Sequence, residues 1–430
     1  KILVNIFYCI INIMKNNIKI IHEDLNAGGG SERLTITMME ALNEMGFNID
    51  LETITTPDWD QIRKWYGKFS LKIEKIKKID LSNVFGLFEN GNDNRKQILF
   101  EEEEKYTLII NAHGDILPYY NSNNHRKLKT KIITYCHYPL TPRLIHHGSY
   151  KKFLFKFLQN STLDHERNFP LKEKELLYRI LSTYDLMMRN TIIVTNSQFS
   201  KQAIENYYGK VVFSILNPPV DIETYSKVAL NNTARENTII VIARYSPDKK
   251  IETAIKIARN LYKFIPDFKM IIIGNILSDN YDYYRYLQSL ISIYRLNENV
   301  KLQLNVPLNN LLKLMARSKI LLHPTLEEPF GISVAEGMSA GLIPVVPFKG
   351  GNTEFVPARF HFKSEEEAVK IIIDAMKISV EDRLKLSKFP NIFSVHNFKT
   401  NLKEIIQNMV EKELVISSPQ IKNINTINRN

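Results

Sequence analysis

Cysteine is nearly absent from this chain. Only Cys9 and Cys136 occur among 430 residues, which excludes a disulfide framework and leaves no thiol cluster for zinc or an iron–sulfur centre. Long apolar runs are missing too. The longest, Ile2 to Ile13, is broken by Asn5 and Asn12 and falls short of the ~20 residues that a membrane-spanning helix needs. Lys1 is the sole basic residue ahead of that run and no small-residue cleavage site follows it, so a signal peptide is not expected. Met14 is expected to be the initiator, which sets residues 1–13 apart as a leader outside the native fold.

Two familiar glycine and aspartate patterns are also absent. Gly28-Gly29-Gly30-Ser31-Glu32-Arg33 has an arginine where the dinucleotide-binding fingerprint carries its third glycine. Asp58-Trp59-Asp60, behind Pro57, reads as the start of a helix and not as a metal pair, because no second ligand cluster accompanies it. Neither a resident cofactor nor a metal is expected.

What is present is an ordinary globular composition, with 44% hydrophobic and 24% charged residues, and a formal net charge of +11. Such a charge favours an anionic partner, be it nucleic acid, a membrane surface or a phosphorylated substrate. No recognisable nucleic-acid module appears, so nucleic acid is not the expected partner.

Short apolar runs alternate with helical patterns along the whole length. Strands are expected at Ile18–Ile21, Phe47–Leu51, Thr107–Asn111, Lys131–Tyr135, Thr191–Thr195 and Val211–Leu216, with a helix from Ser31 to Met45 between the first two. The same grammar restarts at Thr238–Ala243 and continues through Phe268–Ile273, Val300–Leu304, Lys319–Leu322 and Leu342–Val346. That order implies two parallel sheets covered by helices on both faces. The expected division is a first domain over 14–217, a polar linker at 218–237, a second domain over 238–392, a helix at 393–412 packing back, and a disordered tail at 413–430.

The richest stretch runs from His323 through Glu328-Pro329-Phe330-Gly331 to Glu336 and Gly341, between a buried strand and a helix. It places two carboxylates at the carboxyl edge of a parallel sheet, where α/β folds bind ligands. Arg244 and Lys249 follow the first strand of the second half, two cations where a diphosphate can be held. Gly350-Gly351 follow a later strand, and Gly29-Gly30 follow the first; both are glycine turns that let backbone approach a ligand, with a plain tight turn or helix cap as the alternative. His137 ends the Lys131 strand, with Cys136 sent to the opposite face by strand alternation, which argues against a Cys–His nucleophilic pair. His113 ends the strand before it and is a weaker candidate for the cleft.

The spacing from Glu328 to Glu336, within Glu-Pro-Phe-Gly and ahead of Gly341-Leu342-Ile343-Pro344, resembles the retaining family 4 glycosyltransferases of the GT-B fold. The resemblance implies two Rossmann-like domains facing each other across a cleft. In it, Arg244 and Lys249 form a donor-diphosphate clamp, Glu336 holds the ribose, and Glu328 holds the sugar. Phe330, Gly331, Gly350, Gly351, Gly29 and Gly30 line the site, and His137 stands near the reacting sugar.

Tyr138-Pro139, Asn196-Ser197-Gln198-Phe199-Ser200-Lys201 and Asn217-Pro218-Pro219-Val220-Asp221 are similar to one branch, the α-1,2-mannosyltransferases that extend dolichol-linked oligosaccharide from GDP-mannose. This implies a metal-independent, retaining transfer of a hexose, mannose favoured, to a lipid-linked glycan. The protein is then expected in the cytoplasm, peripheral on the cytosolic membrane face. The basic, aromatic stretch from His146 to Leu158 is the candidate membrane segment. A sugar-nucleotide hydrolase or epimerase in the same cleft, a transferase to a soluble acceptor, and a basic nucleic-acid-binding protein are the alternatives. Alanine at Arg244 or Lys249 is expected to cut turnover about 10²-fold with little change in stability.

Overall fold

A computed structural model of the chain describes residues 16–79, 105–114, 130–140, 173–231, 235–276 and 280–417. Within them lie two parallel sheets. The first is seven-stranded, in the order β3-β2-β1-β4-β5-β6-β7. Its strands are β1 (Asn17–Ile21), β2 (Asn48–Thr53), β3 (Ile73–Lys78), β4 (Leu108–Asn111), β5 (Lys131–Cys136), β6 (Ile192–Thr195) and β7 (Ser214–Ile215). The second is six-stranded, in the order β10-β9-β8-β11-β12-β13. It comprises β8 (Glu236–Ile242), β9 (Lys269–Gly274), β10 (Val300–Leu304), β11 (Ser318–Leu322), β12 (Ile343–Pro347) and β13 (His361–Phe362).

In both sheets the strand order reverses, between β1 and β4 in one and between β8 and β11 in the other. A crevice opens at such a reversal, beyond the carboxyl ends of the strands, because the flanking connections leave in opposite directions. The segments after β1, β4, β8 and β11 carry His22 with the glycine loop, His113, Arg244 with Lys249, and the stretch from His323 to Gly331.

Central strands are apolar throughout, as burial on both faces demands: Ile239, Ile240 and Val241 are all fully buried, as are Ile320 and Leu322. Strand alternation divides the first domain's core in two. Tyr135 packs on one face with Ile18, Ile20 and Ile110, and Cys136 on the other with Ile21, Ile109 and Ile193. Asp58 caps the helix Trp59–Tyr66 by accepting from the backbone N–H groups of Asp60 and Gln61, at 3.1 and 3.0 Å. No metal role is needed to explain it.

Two expectations change. The supposed linker contains a helix, Ile222–Asn231, whose Tyr225 is buried in the second core with Ile222 and Val228 packed against it. Arg235 fastens its far end by donating to the carbonyls of Met315, Ser318 and Ala340, so this stretch belongs to the second domain. The last helix, Val395–Ser417, extends beyond residue 412 into the expected tail. It leaves the second domain and buries Phe398, Leu402, Ile405, Ile406 and Met409 in the first domain's core. The leader at 1–13, the stretch 146–158 and residues 418–430 lie outside the described residues. Among the described residues, no helix is long and apolar enough to cross a membrane.

The returning helix should be a stability determinant. Leu402 is 3% exposed in the first core, so Leu402→Ala is expected to cost about 2–5 kcal/mol in chemical denaturation. Leu230→Ala, at a side chain 70% exposed, is expected to change stability by less than about 0.5 kcal/mol.

Candidate active site in the interdomain cleft

The loop after β11 is built to present one carboxylate. Glu327 takes a left-handed φ of 60° and Gly331 one of 92° at the amino-terminal cap of the helix Ile332–Ser339. Between them Glu328 pairs with Gly350 in a one-residue parallel bridge, and the Gly351 N–H donates to the Glu328 carbonyl at 2.7 Å. A Cβ on Gly351 would lie 2.0 Å from the Pro329 carbonyl oxygen. Gly350 and Gly351 therefore serve to let two loops touch. The Gly351 N–H, which the sequence reading offered to a ligand, is already spent.

So held, the Glu328 side chain meets Lys249 Nζ at 2.8 Å and His323 Nε2 at 3.3 Å. The Glu328 and Lys249 side chains are only 14% and 20% exposed. Burial alone would raise the Glu328 carboxyl; the Lys249 ammonium, helped by His323, holds it far below the usual carboxylate range. Glu328 is thus an anion at any physiological pH. His323 opens the motif stretch in the sequence but was given no role there, although its position at the switch point was the available signal. Arg244 is exposed beside this pair, on the same short loop as Lys249.

Glu336, about one turn along the next helix, does not stand open. Arg33 of the first domain reaches its Oε1 at 2.6 Å, across 303 residues of sequence. The Tyr225 phenol lies next to it, and burial together with the Glu336 charge pushes that phenol up, so it stays protonated. Arg33 lies in the first turn of the helix Gly30–Glu44 with its guanidinium over the Tyr66 ring, 5.4 Å from the centroid. The glycine loop ahead of it is braced by Glu32, which accepts from the Gly29 N–H at 2.6 Å, and by the Tyr66 hydroxyl, which donates to the Gly29 carbonyl at 2.6 Å. Ser31 donates to Glu32 and does not cap the helix itself. A Cβ on Gly30 would come within 2.6 Å of Ile332 Cδ1 in the other domain. Gly29 and Gly30 thus reach the cleft, but what they approach closely is Glu32 and the opposing helix.

Two more contacts cross the cleft. Ser197, the cap of the helix Gln198–Tyr208, donates to the Pro329 carbonyl at 2.6 Å, and Glu354 accepts from the Gln198 and Phe199 N–H groups at 3.1 and 2.7 Å. An acidic side chain at a helix amino terminus answers both its unpaired donors and its dipole. Arg33, Tyr225, Ser197 and Glu354 were not identified from sequence as a set, because their partners lie more than a hundred residues away.

Phe330 is a correction. It is 3% exposed, with its ring 5.3 Å from Phe355 and 4.9 Å from Phe393, so it packs the second core and does not line the ligand face. His137 stands partly buried just past β5, where its carbonyl accepts from Asn196 Nδ2 and Ser200 Oγ, both at 2.9 Å. Its ring sits edge-on to His113, at 5.6 Å. His113 in turn stacks on His22 at 4.7 Å with 26° between the rings.

His22, Glu32 and His113 offer ligand atoms within 4.8 Å of one another. Rings so nearly parallel do not aim their in-plane lone pairs at one ion, so the cluster reads as packed imidazoles. Burial, then the nearby His137, pulls His22 down to about 3, which keeps it neutral. His137 thus belongs to this first-domain cluster, while Lys249, Glu328 and His323 form a separate one in the second.

Residues 223–389 match the family of glycosyl transferases group 1. The chain is 22% identical over 306 residues to a GDP-Man:Man(3)GlcNAc(2)-PP-Dol alpha-1,2-mannosyltransferase of Dictyostelium discoideum, covering 66% of this chain and 60% of that one. It is 24% identical over 251 residues to the Homo sapiens protein of the same name, covering 52% and 49%. The chain thus spans about half the length of the curated relatives it matches. Among solved structures it is similar to Anabaena HepE in complex with UDP and glucose, with a TM-score of 0.63 and 16% identity over 91% of this chain and 99% of that one. Sucrose-phosphate synthase from Thermosynechococcus elongatus matches with a TM-score of 0.62 and 15% identity over 92% and 99%. These likenesses establish the fold as GT-B, two Rossmann-like domains about a cleft.

The Lys249–Glu328 pair revises the stability expected of a clamp variant. Removing one partner of a buried ion pair leaves the other uncompensated, so Lys249→Met is expected to lose about 3 kcal/mol at neutral pH. In wild type the depressed Glu328 carboxyl contributes stability above its unfolded value of about 4.3, lost only as pH falls through the lower folded value. In the variant, burial is opposed only by His323, and protonation relieves the orphaned charge. Chemical denaturation should therefore show the gap narrowing as pH falls from 7 toward 4, and Lys249→Met/Glu328→Gln should recover most of the loss. A gap that stays constant with pH would exclude this pairing.

Proposed function

We propose that this chain, whose residues 223–389 are a group 1 glycosyltransferase domain, moves a hexose from a nucleoside-diphosphate sugar to a glycan acceptor with retention of configuration. Mannose and GDP-mannose are favoured as donor, and a lipid-linked oligosaccharide as acceptor. The observation that carries the reading is the Lys249–Glu328 pair, with Arg244 exposed beside it, at the strand-order reversal of the second sheet. Cations at that point are where a departing diphosphate would sit.

Loss of a nucleoside diphosphate from a sugar builds negative charge on the leaving oxygen. Preorganised cations lower that barrier electrostatically, without a group of their own entering the covalent chemistry. Arg244 supplies a planar fork suited to phosphate oxygens, and Lys249 a point charge. Glu328, held ionised, would accept hydrogen bonds from sugar hydroxyls, and Glu336 from the ribose. Front-face retention needs no enzyme nucleophile, and His137 would orient the sugar or take the acceptor proton. Divalent metal has no assigned part in this scheme.

The names of the relatives favour mannose, guanosine and a dolichol-linked acceptor. A lipid acceptor would place the protein at a membrane surface, on the cytosolic face where nucleotide sugars are available, and the net charge of +11 would draw it to anionic lipid.

A transfer assay tests this. GDP-mannose, UDP-glucose and UDP-GlcNAc are each offered with a dolichyl-pyrophosphate oligosaccharide or a soluble mannoside. Mannosyl transfer to the lipid-linked glycan is expected, and Arg244→Ala is expected to reduce turnover by about 10²-fold. Hydrolysis or epimerisation of the donor without transfer would favour the rival sugar-nucleotide reading, and full activity in Arg244→Ala would remove the diphosphate role.

A further inference from the structure

Arg33 has a place in this cleft that the donor reading does not assign. It is the one described cation from the first domain that ion-pairs with a second-domain carboxylate proposed to bind donor, with side chains 19% and 12% exposed and 2.6 Å between them. A guanidinium taken out of water loses hydration that one carboxylate contact only partly returns. The arrangement around it is nevertheless specific. The Tyr66 ring lies under the guanidinium, Glu32 and the Tyr66 hydroxyl brace the glycine loop that launches it, and Gly30 lets that loop come against Ile332.

On the carboxylate side, Arg33 donates to Glu336 Oε1, and the Tyr225 phenol lies beside the same carboxylate. An ionised carboxylate has about four acceptor positions. Arg33 takes one, which leaves enough for the two donors of a vicinal diol.

We propose that Arg33 is a positioning residue for the donor: from the opposite domain it keeps Glu336 ionised and oriented toward the diol of the nucleotide's ribose. The role rests on the donor reading above. It makes nucleotide affinity depend on a residue of the other domain.

Without Arg33 the balance at Glu336 changes in a defined direction. Burial already pushes this carboxyl above its ordinary value, with Arg33 and then Tyr225 drawing it back and Asp221 pushing it further up. The groups facing Glu336 are Arg33 from the helix Gly30–Glu44, Tyr66 from the helix Trp59–Tyr66, Tyr225 from the helix Ile222–Asn231, and Asp221 just ahead of that helix. Loss of the single cation among them raises the carboxyl toward neutrality. A protonated Glu336 accepts poorly from a diol, so binding becomes sensitive to acid.

Titration calorimetry with GDP between pH 6 and 8.5 tests the role. Wild type and Arg33→Lys are expected to bind with affinity nearly flat in pH. Arg33→Gln should bind roughly tenfold more weakly for each unit that the carboxyl lies above the working pH, and recover as pH rises. Glu336→Gln should bind weakly and without that pH dependence. Tyr225→Phe keeps the ring and removes the hydroxyl that draws the carboxyl down, so it should shift the profile in the same direction by less, which keeps the test open if Arg33→Gln does not fold. A wild type that binds GDP alongside an Arg33→Gln or Tyr225→Phe profile parallel to it, or an Arg33→Gln that binds GDP more tightly, overturns the positioning role and leaves the donor site standing. A wild type that binds neither GDP, UDP nor ADP overturns the donor site and this role together.

Discussion

A carboxylate between two closely packed domains must be answered by a cation, and at Glu336 that cation comes from the other domain. The Arg33–Glu336 pair ties the first turn of one helix to the middle of another, 303 residues away, and the surrounding residues read as provisions for it. Gly30 removes the side chain that would hold Ile332 off. Glu32 and Tyr66 fix the loop so that Arg33 leaves it in one direction. Ser197 and Glu354 make two more crossings beside it. The last helix returns to bury Leu402 and Ile406 in the first domain, so that the domains are joined by apolar packing as well as by charge.

The second carboxylate shows the same physics within one domain. Glu328 is kept ionised by Lys249 and His323 on a loop whose geometry depends on Gly331, Gly350 and Gly351. Two buried anions therefore line one cleft, each with its own cation, and Arg244 remains exposed next to them. A nucleotide sugar entering such a site meets acceptors for hydroxyls and donors for phosphate in fixed positions, with the reorganisation already done during folding.

Much of this was legible in the sequence. Period-two and continuous apolar runs placed the central strands within a residue or two, because burial on both faces leaves no room for polar side chains. The Glu328-to-Glu336 spacing located the crevice. Other features resist such reading. The helix Ile222–Asn231 was hidden behind Asn217-Pro218-Pro219, whose turn chemistry outweighed the spacing of Ile222, Tyr225 and Val228. Phe330 was assigned to the ligand face by its place in a motif, whereas its ring completes an aromatic cluster with Phe355 and Phe393 that only the fold brings together. Gly351 signals close approach in sequence, but not that the approaching atom is the Pro329 carbonyl. Arg33 could be recognised as cleft-facing from its loop, yet its partner could not, since pairing over such a separation is a property of topology.

Ligand-dependent melting tests the central claim of a nucleoside-diphosphate site between these domains. A ligand that binds only the folded state stabilises it by RT ln(1 + L/Kd), with L the free ligand concentration, and so raises the melting temperature. Measured with GDP, UDP, ADP and inorganic phosphate at matched ionic strength, the wild-type protein is expected to melt higher with a nucleoside diphosphate than with phosphate, with GDP giving the largest rise. Equal melting temperatures with all four and with none would contradict the account.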